Sequence, residues 1–382
     1  MERIGFDAVR RLAGSVPTVC LLAPMPDAGD DADGYLHRIR TIDETALSSF
    51  VRVYLMGDRP DLARVVAEKR DEHHYFLQFN SKSIRQRRQI FSLIRSCGRL
   101  YIHSVYRFVA GPVSRRMAKA LDLPGVRIVW DVHGAAPEEI EMNGELPAAA
   151  RAAEIERALY RRSGAIVCVS RAMEEHLRSK YGPAEAEVLI LPIFAADGDQ
   201  PPEAPEKTGG RPVVVYAGGL QRWQCVEEMI RLIDSTWDRF DYRIYTPDPE
   251  ELMARWGPGE GKNHITVASV PHREMPAAYR GCQYGLLLRE DNAVNRVACP
   301  TKLIEYIRYG IVPVLQSSRI GDFAALGLAW VEKEDLLAGN VPDGRKLEEI
   351  RSANRTVLEK TAELTRRGME SLRRCMETNG QR

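Results

Sequence analysis

Pro300-Thr301-Lys302-Leu303-Ile304-Glu305-Tyr306, with Leu288-Arg289-Glu290-Asp291-Asn292 before it and Gly310-Ile311-Val312-Pro313-Val314 after it, decides how this chain folds. The order is an apolar strand, a polar loop, a helix opened by proline and a second apolar strand. Lys302 and Glu305 fall one turn apart on one helical face. Backbone N–H groups at such a helix start, beginning at Thr301, favour phosphate, and Lys302 and Arg289 add positive charge. Glu305 is placed to accept paired hydrogen bonds from a ribose diol. A nucleoside diphosphate fits that description.

Working outward, apolar β-rich runs recur at residues 18–22, 51–56, 74–79, 100–103, 126–131, 165–170 and 188–192. Amphipathic stretches at 62–69, 84–95, 113–121, 148–161 and 172–180 separate them. Continuous apolar strands alternating with helices predict a doubly wound, parallel α/β sheet. Asp197-Gly198-Asp199, Pro201-Pro202, Pro205 and Gly209-Gly210 then crowd together, a composition that continues neither helix nor strand. The expected organisation is therefore a first domain over 1–195, a linker over 196–211 and a second domain over 212–342. Strands of the second domain are expected at 213–216, 242–245, 265–268, 284–288, 311–315 and 328–331. Residues 343–382 complete the chain as a polar helix whose apolar face carries Leu347, Ile350, Leu358, Leu364 and Leu372. Two such Rossmann-like sheets imply a cleft between them.

The chain has 382 residues, enough for two cores, with 44% hydrophobic and 28% charged residues and a net charge of +1. That balance gives no basic field, and no RNA-binding or helix-turn-helix signature accompanies it, so nucleic acid is not an expected partner. Seven cysteines stand singly, mostly in apolar runs, which favours reduced core thiols in a cytoplasmic protein. Residues 1–15 lack a signal-peptide core, and no apolar run reaches about 18 residues, so neither export nor a membrane span is expected.

The Pro-Thr-Lys-x-x-Glu-Tyr segment, followed by a glycine and an apolar strand, resembles the donor-site helix of family-4 glycosyltransferases with the two-domain glycosyltransferase-B fold. The resemblance runs over most of the chain and is most specific over residues 213–323. It implies a nucleoside-diphosphate sugar, UDP- or GDP-linked, as substrate, no cofactor and no essential metal. A saccharide or lipid-linked acceptor and a role in bacterial polysaccharide or glycoconjugate synthesis are also implied, as is a terminal helix that crosses back to the first domain. One position departs from the pattern. Many relatives carry a sugar-touching glutamate eight positions before the ribose-binding one, where this chain has Val297. Glu290, Asp291, Asn292 and Asn295 are the candidates to take its place.

Ligands of open parallel sheets bind beyond the carboxyl ends of strands. Gly218-Gly219-Leu220-Gln221-Arg222 follows the strand at 213–216, and paired glycines let backbone approach a phosphate while Arg222 supplies charge. A tight strand-to-helix turn explains the pair equally well until it is set beside Lys302; together the two resemble the family's phosphate-binding halves. Ser269-Val270-Pro271-His272 follows a further strand, and the resemblance assigns Val270 to the nucleobase edge. Trp130-Asp131-Val132-His133-Gly134 ends the fifth candidate strand. It resembles the family's placement of a histidine, here His133, against the transferred sugar. Glu138 and Glu139 either cap the next helix or meet an acceptor hydroxyl. Asp27, Asp30, Asp31 and Asp33 lead to Gly34 and Tyr35, which are candidate cleft residues. No EF-hand pattern or His/Cys ligand set accompanies these acids, so no metal is expected.

Lys82, Arg85, Arg87, Arg88 and Arg95 share a segment with Ile84, Phe91, Leu93 and Ile94. This reads as a basic amphipathic helix, either a surface helix packed on the sheet or one that also docks on anionic lipid at the inner membrane face. Hydrolase elbows, metal clusters and a Walker loop are not seen in the sequence. The expected chemistry is transfer of a sugar to an acceptor hydroxyl, with the leaving diphosphate stabilised by Arg222, Lys302 and Arg289. Retention of anomeric configuration follows from the resemblance alone. A sugar-nucleotide epimerase of the same fold, and a non-catalytic sugar-nucleotide-binding partner subunit, are the alternatives.

Overall fold

Apolar runs bounded by glycine, proline and charged residues become strands in two separate sheets. The structure, a computed structural model, describes residues 2–25, 34–109, 115–193, 210–257 and 262–378. The chain divides into two compact units, Met1–Pro192 with Leu364–Arg382, and Ile193–Glu363. Most of the expected linker, residues 196–209, lies outside the described residues, as do Asp27, Asp30, Asp31 and Asp33.

The first unit holds β1 (Glu2–Ile4), β2 (Thr18–Leu22), β3 (Val51–Asp58), β4 (Val66–Lys69), β5 (His74–Phe79), β6 (Arg99–His103), β7 (Arg127–Val132), β8 (Ala165–Cys168) and β9 (Glu187–Ile190). Their order is β1-β4-β5-β3-β2-β6-β7-β8-β9. From β5 to β9 every pairing is parallel, while β1 and β4 add an antiparallel edge. Residues 62–69, expected to be helical, instead end in β4. Asp71 accepts the His73 and His74 N–H groups at 2.8 and 2.9 Å, closing a turn that folds β4 back on β5. Pairing in that hairpin overrides a helical pattern too short to stand alone. In the segment expected as a helix at 113–121, residues 115–122 form a 3₁₀ helix, and 113 and 114 lie outside the described residues.

The second unit holds β10 (Val213–Ala217), β11 (Asp241–Tyr245), β12 (Ile265–Ala268), β13 (Tyr284–Leu287), β14 (Val312–Leu315) and β15 (Val331–Glu332), ordered β12-β11-β10-β13-β14-β15 and parallel throughout. Alternation along β10 serves both faces: Val214 and Tyr216 join one core with Met229 and Leu286, and Val213 and Val215 join another with Tyr279, Tyr306 and Ile311. A strand buried on both sides reads as a continuous apolar run, as this one does.

One helix, Gly344–Glu377, begins in the second unit and ends in the first. Arg351 near its start donates to the Gly310 carbonyl at 2.7 Å. Near its end Leu372, Cys375 and Met376 enter the first-unit core, and Arg99 donates to the Met376 carbonyl at 2.7 Å. Gly368 passes so close to the Ile190 carbonyl that a side chain there would collide with it. No described helix is long and apolar enough to cross a membrane. All seven cysteines are free and buried.

Both sheets reverse their winding beside a central strand, between β2 and β6 in the first and between β10 and β13 in the second. In open parallel sheets, ligands bind beyond the carboxyl ends of the strands that flank such a reversal.

Candidate active site

At the second-unit reversal, β10 ends in Gly218-Gly219 and β13 runs into Leu288-Arg289. Helix Thr301–Arg308, which follows β13, is fixed by Tyr306. The Tyr306 hydroxyl accepts the Ala217 N–H at 3.0 Å, and its ring lies where a side chain on Gly285 would have to go. Glycine at 285 is therefore what lets the helix sit on β13. One turn earlier, Lys302 is buried, with its ammonium 4.0 Å from the centre of the Tyr216 ring and 3.2 Å from Gln224 Oε1. A Cβ on Gly218 would land on that ammonium. The Tyr216 hydroxyl in turn donates to the Gly219 carbonyl at 2.5 Å, shaping the glycine turn.

Arg289 is also buried, with Nη1 3.5 Å from Asn295 Oδ1. Burial pushes the Lys302 pKa well below the ordinary lysine range, the Arg289 charge pushes it further, and Glu305 opposes both. Two cations buried beside each other repel, and an anion placed at the glycine turn would relieve the strain.

Glu305 lies on the same helix as Lys302. Its Oε2 accepts the Tyr279 hydroxyl at 2.8 Å and its Oε1 lies 3.5 Å from His272 Nε2. Val270 packs against the core that contains Tyr279 and Tyr306 and stays half-buried. Thr301 opens the helix, and Arg222 stands exposed on the 3₁₀ turn after the glycines.

The loop after β13 spends its polar groups on its own shape. Asn292 caps helix Ala293–Arg296 by accepting the Asn295 N–H at 3.0 Å, and fully buried Asn295 donates to the Glu290 carbonyl at 3.1 Å. Glu290 and Asp291 are exposed, and Asp291 pairs with Arg296 at 2.5 Å and Arg319 at 3.2 Å. Val297 is buried. The position where relatives carry a glutamate is therefore an apolar packing site.

In the first unit His103, the last residue of β6, pairs with Asp131 near the end of β7, and His133 follows that strand. Arg38, on helix Gly34–Glu44, donates from Nε and Nη2 to Asp131 Oδ1 at 3.0 and 2.7 Å, and the Tyr101 hydroxyl donates to Oδ2 at 3.1 Å. Burial would raise the Asp131 pKa, but Arg38 and the two histidines outweigh it and hold the carboxyl well below its usual range. Burial pushes His103 down to about 4, against the pull of Asp131. The Tyr35 ring lies 4.8 Å from the His133 ring, and its hydroxyl donates to the His103 carbonyl at 3.2 Å. Gly34 opens the helix that carries Tyr35 and Arg38.

Glu138 stands apart from this group. Its Oε1 meets Lys180 at 2.8 Å and His176 at 3.0 Å, and Lys180 also contacts Glu156 at 2.5 Å. Its carboxylate thus ties together the helices that pack behind the strand ends. Reasoning from sequence assigned no role to His103, Arg38, Tyr101, Gln224 or Tyr279, and it quoted Asp131 only within the stretch that leads to His133. Arg38 and Tyr101 lie inside a helix and a strand, His103 ends β6, Gln224 ends the turn after the glycines and Tyr279 follows helix Met275–Ala278, and only tertiary packing brings each to a site.

On another face of the first unit, Phe6, Arg10, Ile84, Arg85 and Arg88 line a groove between helices Phe6–Ser15 and Ile84–Cys97. Ile84 is 61% exposed.

Residues 49–194 match the model of Glycosyltransferase Family 4. No curated protein matches the sequence. Among solved structures, the chain is similar to an α,α-trehalose-phosphate synthase (UDP-forming) from Burkholderia vietnamiensis, at 14% identity and a TM-score of 0.65, over 94% of this chain and 99% of that one. A structure described as trehalose-6-phosphate from E. coli bound with UDP-2-fluoro glucose matches at 12% identity and a TM-score of 0.59, over 94% and 99%. An α,α-trehalose-phosphate synthase (UDP-forming) from Burkholderia xenovorans in complex with glucose-6-phosphate matches at 12% identity and a TM-score of 0.60, over 94% and 100%. At these identities the structural likeness is one of fold.

Proposed function

We propose that this chain, whose residues 49–194 match the Glycosyltransferase Family 4 model and whose fold is similar to that of glycosyltransferase-B enzymes, is a family-4-like glycosyltransferase that moves a sugar from a nucleoside-diphosphate donor to a saccharide or lipid-linked acceptor hydroxyl. The reading rests on one observation above all: Lys302 is buried against the Gly218 backbone, within the electrostatic reach of buried Arg289. The diphosphate takes that place, with Thr301 at the helix start and Arg222 on the flanking turn adding donors. Glu305 holds the ribose diol and the backbone at Val270 the base edge. A UDP-sugar is favoured over a GDP-sugar because a neighbour of the same fold was solved with UDP-2-fluoro glucose.

Negative charge grows on the leaving diphosphate as the glycosidic bond breaks. Cations fixed in a low-dielectric site stabilise that charge more than they stabilise the ground state, so they lower the barrier. No metal is needed at the diphosphate in this scheme. Transfer proceeds with retention, the departing phosphate taking the proton of the incoming hydroxyl, while His133 contacts the donor sugar. A glucose-6-phosphate complex among the neighbours supports a phosphorylated or plain saccharide as acceptor. Exposed Ile84 beside Arg85, Arg88 and Arg10 supports peripheral contact with the inner face of a membrane and a lipid-linked acceptor. The setting is cytoplasmic synthesis of bacterial polysaccharide or glycoconjugate.

Calorimetric titration with UDP, GDP and inorganic pyrophosphate tests the donor site. Glu305→Ala is expected to weaken UDP and leave pyrophosphate unchanged, whereas Lys302→Ala weakens both. Equal binding of UDP by wild type and both variants would remove the assignment. Conversion of the donor with no acceptor present would identify an epimerase instead.

A further inference from the structure

We propose, on the reading that Glu305 contacts the ribose of the donor, that Tyr279 is a positioning residue: it holds one oxygen of Glu305 so that the carboxylate presents a fixed edge to the sugar hydroxyls of a nucleoside diphosphate. The two oxygens of Glu305 are held unequally. Oε2 accepts the Tyr279 hydroxyl at 2.8 Å, a full hydrogen bond, whereas Oε1 lies 3.5 Å from His272 Nε2, too far for a strong one. A ribose hydroxyl at about 2.7 Å from Oε1 replaces the weak contact and leaves the strong one in place.

Burial separates the two sides of the carboxylate. Tyr279 is 2% exposed, while the side chains of Glu305 and His272 are 23% and 45% exposed, so Oε2 is tied to the core and Oε1 to the solvent side. Each carboxylate oxygen has two lone pairs, and Oε2 keeps one for a second hydroxyl after the phenol has taken the other. A ribose diol can therefore bridge both oxygens once the carboxylate plane is set. Fixing a glutamate costs rotamer entropy, and a tyrosine that fixes it in advance removes that cost from binding.

Tyr279 is itself well anchored. It follows helix Met275–Ala278, and its N–H donates to the Met275 carbonyl at 2.9 Å. Its ring meets Tyr306 edge-on with centroids 6.0 Å apart, and lies 5.2 Å from the Tyr309 ring. Tyr306 locks helix Thr301–Arg308 to β10 through the Ala217 N–H, so the ring that holds the carboxylate leans on the ring that holds its helix. Burial, and then the Glu305 charge, push the Tyr279 pKa well above the ordinary tyrosine range. The phenol therefore keeps its proton and stays a donor to Oε2.

Calorimetric titration with UDP, 2′-deoxy-UDP, 3′-deoxy-UDP and inorganic pyrophosphate reads the ribose contact separately from the phosphates. Wild type is expected to prefer UDP over at least one deoxy analogue by roughly 10- to 150-fold, the worth of a hydrogen bond to a charged group. Tyr279→Phe keeps the ring and loses only the hydroxyl. It is expected to weaken UDP by roughly 2- to 12-fold, the cost of immobilising one side chain on binding, to narrow the preference over the deoxy analogue, and to leave pyrophosphate unchanged. In a Glu305→Ala background the same change should have no further effect on UDP, because the phenol acts only through that carboxylate. Tyr242→Phe removes another buried phenol of the same unit, one bonded to Thr236, and should leave the preference intact; thermal melts confirm folding of each variant. An undiminished preference in folded Tyr279→Phe overturns the positioning role and leaves Glu305 as the ribose contact. Equal affinity of wild type for UDP and both deoxy analogues overturns the ribose reading and the proposal with it.

Discussion

The ammonium of Lys302 lies 4.0 Å from the centre of the Tyr216 ring, and the same tyrosine closes the glycine turn through its hydroxyl on the Gly219 carbonyl. One aromatic side chain thus sets both the position of a buried cation and the shape of the backbone beside it. The ring face attracts the ammonium, and such an attraction rises toward about 2 kcal/mol when water is excluded.

Lys302→Met should therefore separate stability from binding. Removing a buried ammonium that Arg289 repels is expected to leave the unfolding free energy unchanged or raise it. Loss of a charge-assisted contact should cost UDP affinity about 1.5–3 kcal/mol, roughly 10- to 150-fold. Denaturant titration and calorimetry on one preparation check both. A destabilised variant with normal UDP binding would contradict the site.

Glycines 218 and 285 predict opposite outcomes. Gly218→Ala places a methyl on the flexible end of Lys302, so the ammonium moves, nucleotide binding falls at least about tenfold, and stability drops by no more than about 1 kcal/mol. Gly285→Ala meets the Tyr306 ring at 2.5 Å, a rigid group under the helix, and should cost about 1–3 kcal/mol of stability. Thermal melts with and without UDP distinguish them.

Arg38→Met strands Asp131 in the first-unit interior. Breaking a buried pair by removing one partner costs about 3–5 kcal/mol, because the remaining charge keeps its desolvation penalty. Arg38→Met with Asp131→Asn should recover part of that loss, and urea unfolding of the single and double variants measures the coupling.

Acid should loosen the helices behind the first-unit strand ends through Glu138. Burial tends to raise its pKa, yet His176 and Lys180 hold it down at about 2, against 4.5 for the free group. Between those values the unfolded chain binds more protons than the native one. The stabilisation, about 1–3 kcal/mol, is complete above pH 4.5 and fades as the pH falls toward 2. Melting temperature followed over that range in wild type and Glu138→Gln checks the sign, since the variant should lose the slope.

Much of the architecture was legible because period and punctuation carry it. Residues 18–22, 74–79 and 265–268 are strands at their expected bounds, and each is a short apolar run between turn-forming residues. The helix at 301–308 announces itself by proline before it and glycine after it. Residues 62–69 misled, since Val66 to Lys69 fit a helical pattern and the hairpin partner that captures them lies beyond the turn at Asp71.

Sequence by itself determined which segments alternate and that Lys302 and Glu305 share a helical face, because each follows from spacing within a few residues. Tertiary structure alone decided that Lys302 is buried against Tyr216, that Asn292 and Asn295 serve their own loop, that Glu138 is bound to Lys180, and that His103, Asp131 and His133 converge. Those outcomes depend on which strands become neighbours. Strand order is settled by the sum of packing over a whole sheet, so residues far apart in the chain meet in ways no local pattern encodes.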